Sequence, residues 1–143
     1  MNNTWGDIPK KRDASVILLH DDGGRILLQH REKERKISPN CWAFFGGGIE
    51  AGETPDQALQ RESMEELEWR VKNPVKLFAL DLEPWGYETI LYVYAEHCAD
   101  ASMLVLHEGQ DWGWFRNQDV SNLLMTPWDR VLFERAYPMI FPR

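Results

Sequence analysis

The sequence predicts an α/β layered domain, a mixed β-sheet held between helices. Three observations carry the prediction. Short apolar and aromatic runs recur along the chain, bounded by Gly, Pro, Asn and Asp. Two longer segments with helical spacing interrupt them, each opening on Thr-Pro, a good N-cap followed by the residue favoured in the first helical turn. No internal repeat, low-complexity tract or linker divides the 143 residues, so residues 1–143 are read as one domain.

The elements follow in chain order. "MNNTWGDIPKKRD" has no apolar run after its basic residues and does not read as a signal peptide. "ASVILL" (14–19) and "RILLQ" (25–29) flank the turn signal "HDDGG" and form a predicted hairpin. "REKERKISPN" (31–40) is polar, ends in Pro-Asn and reads as a loop. "CWAFF" (41–45) reads as a buried strand, and Gly46, Gly47 and Gly48 as a tight turn after it. Thr54, Pro55 and Gln57 make a capping-box start for a helix running to about Leu67, and Pro74 forbids a long extension. "VKLFALDL" (75–82) and "YETILYVYAEH" (87–97) are strand-like and joined across "EPWG"; "MLVLH" (103–107) is a weaker strand and "DWGWF" (111–115) a short one. A second helix starts at Thr126-Pro127, with Trp128, Val131, Leu132 and Ala136 as its packing face.

Charge narrows the function classes. A net charge of −7 argues against duplex nucleic acid, which calls for clustered Lys and Arg, but not against a small phosphorylated ligand, because a metal ion can supply positive charge locally. No stretch approaches the roughly 20 apolar residues of a membrane span. Cys41 and Cys98 lack metal-site spacing and read as two reduced thiols of a cytoplasmic protein.

The acid is not evenly spread. Residues 46–69, "GGGIEAGETPDQALQRESMEELEW", hold six glutamates and one aspartate against one basic residue, Arg61. On a helical wheel, Ala58, Glu62, Glu65 and Glu66 share an arc about 100° wide, and Leu59, Ser63 and Leu67 share the next. Glu62 and Glu66 therefore stand at the edge of the face that packs, looking into a groove beside the sheet. A solvated acidic face is the competing reading, and in water it costs only a few tenths of a kcal/mol. In a groove, two carboxylates about 5 Å apart repel by roughly 3 kcal/mol at an effective dielectric near 20, so a cluster calls for protons or a hard cation such as Mg²⁺ or Mn²⁺.

This stretch resembles the signature of the Nudix hydrolase family: a Gly, five residues, a Glu, seven residues, then Arg-Glu-aliphatic-any-Glu-Glu-any-Gly-aliphatic. Gly47, Glu53, Arg61, Glu62, Glu65 and Glu66 match in register. Ser63 stands where an aliphatic residue is usual and Glu68 where Gly is usual, which leaves the helix end near 68–70 open. The resemblance implies an α/β/α sandwich around a central mixed β-sheet. It implies pyrophosphohydrolase activity on a nucleoside diphosphate linked to another group: a nucleoside triphosphate, a nucleotide sugar or ADP-ribose. It implies Mg²⁺ or Mn²⁺ held by Glu62, Glu65, Glu66 and the Gly46 carbonyl, with Glu53 and Arg61 paired to hold the loop and helix. Glu108, in "LHEGQDWGWF", stands where relatives often place a further metal-linked or general-base carboxylate. A glutamate near metal-activated water can take its proton, which gives Glu65, Glu66 and Glu108 catalytic parts.

Other residues are weighed against plainer roles. Arg31 follows a strand and is read equally as a phosphate contact or a solvated cation. Lys33, Arg35 and Lys36 alternate with Glu32 and Glu34 and read as solvated loop charge. His30 reads as a strand-end residue. Gly47 and Gly48 admit a substrate to the main chain; Trp85 and Tyr87 are candidates to stack a nucleobase, while Trp112 and Trp114 read as core. Gly48 also stands where nucleoside triphosphate-cleaving relatives often carry Lys, which weakens a narrow assignment to oxidised dGTP. A diphosphate isomerase and a non-catalytic nucleotide sensor are the rivals on the same fold; the first wants a catalytic Cys, and the second usually loses the metal carboxylates. The apolar C-terminal "MIF" offers a surface for a homodimer.

Overall fold

A computed structural model describes residues 11–36 and 38–142; the reading of the first ten residues lies outside them. The elements are β1 (Ala14–His20), β2 (Ile26–His30), β3 (Trp42–Ala43), β4 (Phe45–Gly48), α1 (Pro55–Leu67), β5 (Val75–Asp81), β6 (Ile90–His97), β7 (Asp111–Phe115) and α2 (Pro127–Ile140). The seven strands form one sheet with a main path β3-β2-β1-β6-β5, while β4 also pairs with β1 and β7 with β2. β1 and β6 run parallel, from Ala14↔Leu91 to His20↔His97, and every other pairing is antiparallel. The sheet is therefore mixed, as expected.

Strand alternation builds two cores. Val16, Leu18, Ile26, Leu28, Val93 and Ala95 face one way and meet Leu132, Phe133 and Ala136 of α2. Ile17, Leu19, Leu27 and Tyr94 face the other way and meet Leu59 and Leu67 of α1. With a helix on each face, the molecule is an α/β/α sandwich.

Three sequence readings change. The glycines are not a turn: Gly46, Gly47 and Gly48 lie in β4, opposite Val16, Ser15 and Ala14. Phe44 interrupts "CWAFF", so β3 pairs with β2 and β4 with β1. "MLVLH" is no strand. Ala101–Met103 form a short 3₁₀ turn, and the Val105 and His107 amides donate to the Leu67 and Glu66 carbonyls at 3.0 and 2.8 Å. The segment thus satisfies the last carbonyls of α1. Of "MIF", Ile140 and Phe141 pack partly on this chain's own core and Met139 is largely exposed.

α1 starts and ends as capping chemistry dictates. Thr54 Oγ1 accepts from the Gln57 amide at 3.1 Å, and Gln57 Oε1 accepts from the Thr54 amide at 2.9 Å. Despite lacking the usual glycine, the helix stops at Leu67. Glu68 takes the left-handed conformation (φ 52°), and its amide donates to the Met64 and Ser63 carbonyls.

Candidate active site

Three glycines on β4 bring the site together, and each is needed for a different reason. At Gly46, with φ 139°, a Cβ would lie 2.1 Å from the Ser15 carbonyl oxygen. At Gly47 it would lie 2.5 Å from Glu62 Oε1, and at Gly48 it would lie 2.1 Å from Arg12 Nε. Close strand pairing, a helix carboxylate and an arginine therefore all use space that a side chain would fill.

The acidic face of α1 is held by Arg61. Its guanidinium grips Glu53 at two points, 2.7 and 2.9 Å, and donates to the Gly48 carbonyl at 3.0 Å and to Glu62 Oε1 at 2.9 Å. The Arg61 hydrogen bonds hold the Glu53 carboxyl down at about 2, and Glu53 in turn raises Arg61. The expected pair is thus present, and it ties the loop after β4 to the helix. Burial raises Glu62, against the opposing pull of Arg61.

Glu66 is the buried acid. It is 4% exposed, and its Oε1 accepts from the Gly46 amide at 2.8 Å. Its Oε2 is sealed from solvent without a hydrogen-bond donor. Burial first, and then the neighbouring Glu108 carboxyl, push Glu66 well above the usual carboxylate range. At Glu108 burial acts in the same direction but is outweighed by Glu66, Arg35 and Arg31, so its pKa falls. The neighbouring acids are thus pushed in opposite directions, Glu66 up and Glu108 down.

Glu65 departs from expectation. It is one residue from Glu66, hence about 100° around the helix. Its side chain is 58% exposed and lies 3.4 Å from Arg61. Arg35 departs too: it pairs with Glu108 at 2.9 Å, so it is not merely solvated loop charge.

A cavity of about 390 Å³ opens against this acid cluster. It is lined by Gly46, Gly47 and Gly48, by the carboxylates of Glu62 and Glu108, by Arg12, Arg31 and Arg35, and by the apolar Leu82, Leu91, Phe44 and Trp128. Arg31 is thereby placed at the cavity, and burial lowers its pKa. Trp85 and Tyr87 do not line it; they pack edge-on against Trp128, with ring centroids 6.3 and 5.4 Å away. Sequence reasoning took Trp128 for core and passed over Arg12 and Asp129. Asp129 also lines the cavity, and burial raises its carboxyl to about 6 against the weaker pull of Thr126 and Arg31. The Thr-Pro cap was a usable signal, since it places positions 128 and 129 in the first turn of α2. His30 stacks on Trp42 at 4.7 Å, and Trp112 and Trp114 pack against the α1-side core, in keeping with their plainer readings.

A hard divalent cation is tested by these donors. Among the described residues, no three acidic, His or Cys side chains are gathered tightly enough to hold an ion as they stand. Arg61 engages Glu62 and Glu65, and Glu66 and Glu108 lean on each other. Yet the donor set is all oxygen, and Glu66 Oε2 is a buried acceptor without a donor, so the residues fit such an ion once these acids turn toward it.

Comparison with known proteins agrees with this architecture. A family model described as the NUDIX domain matches residues 9–136. Nucleoside triphosphatase NudI of Escherichia coli is 28% identical, covering 78% of this chain and 86% of that protein. The MutT NUDIX hydrolase of Burkholderia pseudomallei superposes with a TM-score of 0.73 and 25% identity over 90% of this chain and 98% of that one. DR0079 of Deinococcus radiodurans superposes with a TM-score of 0.79 over 96% of this chain and 90% of that one, at 16% identity. With the match spanning both helices and the sheet between them, the chain belongs to the NUDIX domain family and is a pyrophosphohydrolase of that family.

Proposed function

We propose that the described chain acts as one domain that hydrolyses a phosphoanhydride bond in a nucleotide with the help of Mg²⁺ or Mn²⁺. The preferred class is nucleoside triphosphates, the substrates named for the NudI relative. The observation that carries this reading is one cavity lined together by carboxylates, arginines and apolar side chains.

Glu62, Glu66 and Glu108, with Glu65 and the Gly46 carbonyl, would hold the ion. When bound, it would neutralise phosphate charge and lower the pKa of water. Glu108, whose carboxylate Arg35 grips, would accept a proton from attacking water, a role its lowered pKa permits. Arg31 meets phosphate in the cavity, and the bare backbone of Gly47 and Gly48 lets Glu62 and Arg12 lie against β4 beside the anhydride. Trp128, Leu82 and Leu91 cover the nucleobase, and Asp129 offers it a carboxyl that changes from donor to acceptor as pH rises through about 6. Trp85 and Tyr87 support Trp128 from behind. Two unpaired, buried thiols, Cys41 and Cys98, support placing the enzyme in a reducing compartment such as the cytoplasm. Burial raises the Cys41 thiol, which disfavours the thiolate that a cysteine-dependent isomerase would need.

The test is a panel of nucleoside triphosphates, nucleotide sugars, ADP-ribose and dinucleotides, each with Mg²⁺, Mn²⁺ or chelator. Ion-dependent release of a nucleoside monophosphate, fastest from triphosphates, supports the reading. Turnover that survives chelation, or preference for another class, contradicts it.

A further inference from the structure

Arg12 lies just before β1, on none of the elements that carry the acids. Its backbone amide donates to Thr89 Oγ1 at 3.5 Å, and Thr89 is itself buried in the cavity wall. Its side chain returns across β4. A Cβ built on Gly48 would sit 2.1 Å from Nε, 2.3 Å from Cζ and 2.7 Å from Nη2. Three atoms of one planar group at such similar distances mean that the guanidinium lies over the Gly48 α-carbon. From the other side, Arg61 donates to the Gly48 carbonyl at 3.0 Å. Gly48 is thus flanked by two arginines with different duties. Arg61 is occupied by Glu53 and Glu62, and Arg35 by Glu108. Among the described residues, Arg12 forms no ion pair, and it is exposed while lining the cavity.

A guanidinium held flat at a cavity rim, with its charge unclaimed by any described carboxylate, suits a phosphate group. We propose that Arg12 is a further substrate-binding and specificity-determining residue: it contacts the polyphosphate of the nucleotide, and Gly48 is glycine because a side chain there would displace it. The assignment rests on the nucleotide pyrophosphohydrolase reading. It accounts for a residue that neither the acid cluster nor the strand pairing explains, since Gly48 has no positive φ and its neighbour across the sheet is only Ala14.

A double-mutant cycle on R12A, G48A and R12A/G48A tests it. The ligand is an α,β-methylene nucleoside triphosphate analogue with Mg²⁺, followed by calorimetry, and KM and kcat are measured on the matching triphosphate. R12A is expected to weaken binding and raise KM by roughly tenfold with kcat within about twofold, which is the size of one charge-assisted contact. R12K should recover part of the loss. G48A should lose a similar factor, and the double variant no more than either single one, because both remove the same contact. Circular dichroism and melting temperature show that each variant folds. Fully additive losses, or an R12A that binds like the wild type, overturn the proposal and leave the hydrolase reading standing. A wild type that binds none of the analogues overturns both.

Discussion

Glu66 carries the sharpest test of a single residue. Because its pKa is raised in the folded chain, its proton is held more tightly there than in the unfolded chain. Stability is full below the unfolded value and falls as pH rises through the folded one, so an ion that displaces this proton should bind better as pH rises. The wild type is expected to melt higher with Mg²⁺, and Glu66→Gln should lose that rise. An equal rise in both would remove Glu66 from the ion site. Asp129 behaves similarly on a smaller scale. Its folded value of about 6 lies above the ordinary 3.8, so stability drains between those values as pH rises. Asp129→Asn should match the wild type near pH 3 and exceed it at pH 7 by on the order of 3 kcal/mol, read from denaturant midpoints. A variant less stable at both pH values would show that the carboxylate is held by partners that favour its charge. Neither carboxyl's raised pKa was legible in the sequence, where burial is not visible. The wheel did place Glu62 and Glu66 at the packing edge. Glu65, on the same arc, is turned to Arg61 and largely exposed, which the wheel does not distinguish.

At the scale of elements, capping governs how α1 presents its acids. Thr54, Pro55 and Gln57 were readable in sequence because side chain-to-backbone caps are local. The C-terminal end was not, since Glu68 adopts a conformation that its side chain disfavours. Replacing it by glycine should stabilise the fold by about 0.5–1 kcal/mol with turnover unchanged, because its contact with His107 is exposed. A loss of stability would show that this contact outweighs the backbone strain. β4 was misread for a related reason. Three glycines signal a turn locally, but here they serve neighbours distant in sequence: Ser15, Glu62 and Arg12. Gly47→Ala should push Glu62 out of place and cut turnover at least tenfold, with the melting temperature nearly kept. Unchanged turnover would show that Glu62 can relocate without harm.

Across the whole molecule, two layers of alternating strand residues were legible because period-2 patterning reports both faces of a sheet. The order of strands was not, since β1 splits its pairing between β2, β4 and β6. The cavity was still less visible: it joins Arg12, Gly48, Glu108 and Asp129, residues that only the closed fold brings together. In a protein of net negative charge, the cavity sets arginines beside carboxylates, a mixture suited to an anion that arrives with a cation. The central assertion is that this pocket gathers a hard dication. Anomalous diffraction from a crystal soaked in Mn²⁺ and a non-hydrolysable triphosphate tests it most directly. A manganese peak flanked by the carboxylates of Glu62, Glu66 and Glu108 is the predicted result. Those carboxylates still turned toward Arg61, Arg35 and one another, with the nucleotide bound and no manganese between them, would contradict it.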